Sequence, residues 1–314
     1  MFNPALKQLG FSEQDRVVII HADDVAVSQA SIDAYLELMD YGTITTGSAM
    51  TPSSWFPELA RLVRENPALD MGLHLPVTSE HAAYRWRPVS NPGPDSGLVD
   101  EAGYFHRRPA DTARRAAPAV IIREVEAQIR LSLKLGLTPT HLDSHHGILY
   151  NKELVRPFVV VARQYHILPV LMRMATMGLP AASPSDPAAP NPYGGVDLQA
   201  IRDAVESVEE TAQALTTAGT PVPDYIAGMP IVVEGDRLDF AKKLFSDLQP
   251  GLTHFAFHPT KDTPETRAIT PTWPGRVGDY ETFMKQELKD HLKNEGIQLI
   301  GYKALAALMP ARQS

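Results

Sequence analysis

The segment RVVIIHADDVAVS, Arg16 to Ser28, runs an apolar stretch into a histidine and two adjacent carboxylates, Asp23 and Asp24. Two acids side by side at the end of a strand repel each other unless their roles differ. One can be neutralised by a cation while the other stays free as a base. Three further polar residues occupy the same kind of position: His74 near the end of LDMGLHL, His145 just after PTHLD, and His258 at the end of LTHFAFH. One Asp with two His suits zinc with an open coordination position, or another divalent ion whose shell is completed by water. Such an ion lowers the pKa of a water to roughly 7, and Asp23 can then take its proton. Each residue also has a plainer reading. Asp24 or Ser28 can cap a helix starting near Gln29, and a lone histidine can be a hydrogen-bonded structural residue, as His81, His106, His166 and His291 are read. The joint fall of five candidates at strand ends is what points to chemistry.

The elements that must position these residues are strand-like runs alternating with helical periodicity. The runs are RVVIIH, TITTGSAM, LDMGLHL, PTHLD, LPVLMRM, LTHFAFH and IQLIGY, with DYIAGMP weaker. Helical segments are expected around Gln29 to Tyr41, Trp55 to Arg64, Ala119 to Leu135, Leu154 to Tyr165, Leu198 to Thr217, Leu238 to Leu248 and Tyr280 to Asn294. In the third of these, Ile121, Val125, Ile129 and Leu133 line one face, and Arg123, Glu126 and Arg130 are expected to be solvated. Near-continuous apolar strands, each followed by a helix, imply a parallel sheet covered on both sides. The expected fold is therefore α/β: one (β/α) barrel-like domain over residues 1–314, a distorted TIM type with seven or eight parallel strands. An open doubly wound sheet is the runner-up. In a parallel barrel all strand C-termini open on one face, so the scattered polar residues converge.

Two stretches break the rhythm. Residues 76–113, too long for an ordinary connection, are expected to form a lid whose YRWRP and GYFHRR grip a polar ligand, with Arg85 and Trp86 as substrate contacts; a surface subdomain is the alternative reading. Residues 178–195, rich in proline, are expected to be a surface loop. Arg173, at the end of the fifth strand, is a candidate for orienting Asp23 or contacting substrate, or equally a surface or salt-bridged arginine, and Asp143 is a candidate for fixing the turn that carries His145.

Composition excludes several classes. The 314 residues carry a net charge of −8, which disfavours nucleic acid because no basic surplus exists to neutralise phosphates. There is no cysteine, so a metal must be held by His and carboxylate. The N-terminal residues lack a basic region followed by an apolar one, and no apolar run reaches membrane-spanning length. A cytoplasmic protein without membrane partners is expected, and a homodimer is left open.

HADD, GLHL and THLDSHHG resemble the three signature segments of the YdjC-like carbohydrate deacetylases. GTITTGSAM, EVEAQI and HPTKDTPETRAITPTWPGRVGDYETF fall in the family's order, so the resemblance covers most of the chain. It implies a barrel-like α/β fold, one divalent ion such as zinc or magnesium, and hydrolysis of an N-acetyl group on an amino sugar or oligosaccharide. By the resemblance, Asp24, His74 and His145 match the metal ligands, Asp23 the base, and His258 a late His-Pro position assigned as general acid. The chain departs from the family in three places: His21 stands where many members have Asn, Ala26 where Gly is common, and DSHHGILY where chitooligosaccharide-type members have further histidines. The first histidine is kept, which preserves the ligand set but leaves the sugar unspecified. Other readings are a metal-dependent amidohydrolase or phosphoesterase, and a sugar-binding relative without turnover.

Overall fold

The structure, a computed structural model, describes residues 2–171, 173 and 198–311. The proline-rich loop expected at 178–195 lies outside the described residues. The eight apolar runs all form strands: β1 (Arg16–Val25), β2 (Thr46–Ala49), β3 (Met71–Leu75), β4 (His141–Ser144), β5 (Leu168–Pro169), β6 (Tyr225–Gly228), β7 (Gly251–Phe257) and β8 (Gln298–Leu299). Every ladder is parallel, in the order β5-β4-β3-β2-β1-β7-β6, while β8 pairs with the start of β1 through Val17 and Val18. Chain order is thus kept in both directions away from β1. This is the sequence of a distorted TIM-type barrel, not of a doubly wound sheet, in which the order reverses beside the first strand.

Alternation along β1 divides its side chains between two layers. Val18, Ile20 and Ala22 join the large cluster that includes Tyr35, Leu38, Phe56, Phe245 and Phe283 from the surrounding helices. Val17 and Ile19 pack instead with Leu168, Val170, Leu252 and Tyr302, and with Leu6 of the N-terminal helix Pro4–Gln8. His21 and Asp23 continue this second face upward. Placing them where aliphatic residues would fit forgoes about 1.5–3 kcal/mol of burial per position, so the polar layer is not there for stability alone.

The helix after β1, Gln29–Tyr41, begins at Ser28, whose side chain accepts from Ser31 N in a capping box, and ends at Gly42 with φ 81°. Three expectations change. The helix expected at Tyr280 to Asn294 is two helices, Trp273–Phe283 and Gln286–Asn294. Of the strand expected over LPVLMRM, the described residues show Leu168–Pro169 as strand and Val170, Leu171 and Arg173 outside it. In the helix Pro118–Lys134, Leu133 is exposed, whereas Glu124 and Gln128 are buried.

That exception has a purpose. The Glu124 carboxylate accepts from Val89 N at 2.9 Å and Ser90 N at 2.8 Å, and Gln128 Nε2 donates to Pro76 O at 2.8 Å. The long segment after β3 is therefore tied to this helix through hydrogen bonds that periodicity of apolar residues cannot reveal.

Candidate active site and metal centre

Strand alternation alone would send the carboxylates of Asp23 and Asp24 to opposite sides. The backbone prevents this: the β1–β2 register shifts between Ala22 and Val25, and Asp24 and Ala26 adopt φ of 59° and 75°. A left-handed residue other than Gly costs about 1–2 kcal/mol. Here it lets both acids reach the same end of the barrel.

Asp24 Oδ1 lies 3.4 Å from His74 Nε2 and 3.2 Å from His145 Nδ1. It is buried and has no hydrogen-bond partner among the described residues. Asp24 Oδ2 is held by Arg276 Nη1 at 2.6 Å. One oxygen and two imidazole nitrogens thus converge, all three within 4.8 Å of one another, and this donor set fits a divalent ion. Both histidines of this candidate set are oriented from behind. His74 Nδ1 bonds Asp143 Oδ1 at 2.9 Å, and Asp143 Oδ2 accepts from Ser48 at 3.1 Å. His145 Nε2 lies 3.2 Å from Glu80 Oε2. Carboxylates placed on the outer nitrogens of ligand histidines fix their tautomer and raise their basicity.

Asp23 stands beside this cluster. Its Oδ1 is 2.6 Å from His21 Nδ1, and its Oδ2 is 3.7 Å from His258 Nε2. His258 follows β7 and is held by its backbone N, which donates to buried Asp279 at 3.1 Å; its side chain keeps 26% exposure.

The charges follow from this packing. Burial opposes ionisation of Asp23, but His74, the His21 hydrogen bond and His258 hold it well below the usual carboxylate range. Burial likewise opposes Asp24, and Arg276 and His145 outweigh it. For His74, burial is overcome by Asp143, Asp23 and Asp24, which push the ring up to about 9. For His145, Glu80 and Asp24 overcome burial and push it up to about 10. His258 is shifted down, by burial and then by Arg276.

The family model described as YdjC-like protein matches residues 17–294, nearly the whole span from β1 to the last long helix. The chain belongs to the YdjC-like family. It is 32% identical over 284 residues to a protein of Thermus thermophilus named carbohydrate deacetylase, covering 90% of this chain and 92% of that one. A protein of the same name from Enterococcus faecalis is 26% identical over 295 residues, covering 93% and 99%. The fold is shared with a crystal structure from Enterococcus faecalis described as a candidate cellobiose-phosphate cleavage protein, with a TM-score of 0.71, 22% identity, and 93% and 99% coverage.

In this YdjC-like chain the expected residues Asp23, Asp24, His74, His145 and His258 are brought together, Trp86 packs beside His145, and Arg85 and Arg173 are engaged elsewhere. Arg173 pairs with Glu209 at 2.7 Å and lines a cavity with Asn3, Asp224 and Gly251, at the opposite ends of the strands. Arg85 is bound to Asp100 at 2.7 Å and to Phe105 O, with its guanidinium over the Tyr104 ring. Trp86 is buried; its Nε1 donates to Thr78 O at 2.8 Å, and its ring lies edge-on to His145 at 6.4 Å. The arginine and tryptophan thus take part in holding the segment together, and Arg85 also lines a cavity with Glu80 and Asp100. Asp143 orients His74, not the histidine turn. Glu80 and Arg276 were not expected at the site at all.

Trp86→Ala should therefore act first on stability. Truncating a buried tryptophan costs about 3–5 kcal/mol, and denaturant unfolding should show a loss of that order. Wild-type stability with weakened substrate binding would return Trp86 to the role of an exposed contact.

Proposed function

We propose that this chain is a metal-dependent carbohydrate deacetylase that hydrolyses the N-acetyl group of an amino sugar or oligosaccharide. The observation that carries the reading is the convergence of Asp24 Oδ1, His74 Nε2 and His145 Nδ1 beside a separate, differently partnered carboxylate, Asp23. The relatives named carbohydrate deacetylase supply the reaction class.

A divalent ion, zinc or magnesium, would be held by Asp24, His74 and His145 and would supply Lewis-acid polarisation of the acyl group and of water. The chain's own residues do the rest. Asp23, kept ionised by its neighbours, takes a proton from the attacking water through Oδ2, the oxygen that faces His258. Water oxygen bonds to the acyl carbon, and the carbon–nitrogen bond breaks. The departing nitrogen needs a proton, and the one taken by Asp23 is available. His258 Nε2, 3.7 Å from Asp23 Oδ2, lies on its path. Because the environment disfavours the charged His258 ring, a proton that reaches it is readily surrendered to an amine. Acetate and a free amino sugar leave.

Mass-spectrometric screening of N-acetylated amino sugars tests this, with one protein sample assayed after metal loading and again after chelation. Loss of an acetyl group with matching acetate release, present only with metal, is the expected result. Sugar binding without metal-dependent acetate release, or phosphate release from sugar phosphates in its place, would overturn it.

A further inference from the structure

Below the metal ligands the barrel interior holds a second polar layer that the reaction as described does not use. His21 is fully buried, with its ring 4.9 Å from that of His141, 4.7 Å from that of His254 and 5.9 Å from that of Tyr302. Its two nitrogens point to different partners. Nδ1 is 2.6 Å from Asp23 Oδ1, and Nε2 is 2.7 Å from His141 Nε2. His141 is itself anchored: its Nδ1 meets Thr140 Oγ1 at 2.9 Å, and Thr140 Oγ1 donates to Asp70 Oδ1 at 2.7 Å. Close polar contacts therefore lead from Asp23, at the C-terminal end of β1, to Asp70, just before β3 begins.

We infer that His21 is a positioning residue for Asp23, clamped by His141, and that its ring decides which Asp23 oxygen serves as the base. The inference rests on the reading of Asp23 as that base. A carboxylate only accepts, so His21 Nδ1 must be the donor. Turning the ring over would put carbon where each nitrogen now stands and break both bonds at once, so the orientation is locked. With Oδ1 tied down, Oδ2 alone remains to face His258 and the reacting water. The 2.6 Å contact is short, in keeping with a hydrogen bond to an ionised carboxylate.

The backbone is shaped around this clamp. A Cβ built on Gly72 of β3 would stand 2.4 Å from His141 Nε2, so glycine there is what admits the second ring. Histidine at position 21 also suits the geometry in a way that few side chains can. It reaches Asp23 two residues along the same strand face and still has a nitrogen left for the far side of the barrel.

The test uses the metal-loaded protein with three variants: His21→Leu, His21→Asn and Asp23→Asn. His21→Leu should lower kcat about ten- to hundred-fold, the scale on which misplacement of a reacting group by an ångström acts, while KM and metal content stay unchanged. His21→Asn, whose Nδ2 can stand where Nδ1 stands and donate to Oδ1, should keep most of kcat. In protein labelled with nitrogen-15 at histidine, His21 Nδ1 should carry a far-downfield proton that moves upfield in Asp23→Asn. Wild-type kcat in His21→Leu, with Asp23→Asn inactive, would refute the positioning role and leave the base assignment standing. Full activity of Asp23→Asn would instead remove the base assignment. An unprotonated His21 Nδ1 in the wild-type spectrum would overturn the inference even if His21→Leu failed to fold.

Discussion

Asp23→Asn is expected to lower kcat by at least about 100-fold, the lower end of what a positioned base contributes. The amide keeps the shape of the carboxylate and can still accept from His21 Nδ1, so the buried layer beneath it should persist. What it loses is the ability to take a proton at the atom facing His258, 3.7 Å away. KM should change little, since Asp23 is assigned to the attacking water and not to the sugar. His258→Ala should also lower kcat, but its defect should shrink on substrates whose leaving nitrogen is a weaker base. Steady-state kinetics on a series of N-acyl substrates with different leaving groups checks both expectations together. An equal defect in His258→Ala across the series would take proton delivery away from that residue.

The second large effect is on metal uptake as a function of pH. In the metal-free cluster, neighbouring carboxylates hold His74 protonated up to about 9 and His145 up to about 10. Metal ligation requires neutral imidazole, so binding must expel those protons. The sign follows: the metal-bound state carries fewer protons, and affinity rises with pH until the free rings lose their protons unaided, from about 9 upward. With about two protons released per ion at neutral pH, affinity should climb by up to about 100-fold per pH unit below that limit. Titration calorimetry in buffers of different ionisation enthalpy measures the release directly. No proton release at neutral pH would mean that the rings are neutral before the ion arrives and that Asp143 and Glu80 do not act on them as described.

Much of the barrel was legible because its signals are local. Short apolar runs marked the strands, that of Tyr225–Gly228 weakly, and the helix expected around Gln29 to Tyr41 with Ser28 as a candidate cap is found at those bounds. The polar residues at strand ends could be gathered by topology alone, because parallel strands bring their C-termini together. A further local signal was available: His21 with Asp23, and His141 with Asp143, each stand two apart on a strand and so share a face. Reading that period through the polar positions would have found the layer beneath the ligands.

Other parts were not legible, for physical reasons. Arg276 reaches Asp24 across 252 positions of chain, and Glu80 meets His145 from an irregular segment, where no periodicity reports which way a side chain faces. Aromatic and arginine residues carry no single message in such a segment, because they also serve to hold together a loop without much secondary structure. Trp86 and Phe105 dock it onto the main hydrophobic cluster, and Arg85 lies over the Tyr104 ring. The apolar run predicts a longer strand ending near position 173, but its pairing with β4 ends at Pro169, and Arg173 pairs with Glu209.

The most direct test compares metal content in two variants made at adjacent positions. Asp23→Asn and Asp24→Asn should each be loaded with the same divalent ion, dialysed together and analysed for bound metal by mass spectrometry. Asp23 meets His21 and His258, whereas Asp24 meets His74, His145 and Arg276. Asp23→Asn should therefore retain the ion and Asp24→Asn should lose it. Retention by Asp24→Asn with loss from Asp23→Asn would contradict the division of labour between the two carboxylates, and with it the mechanism.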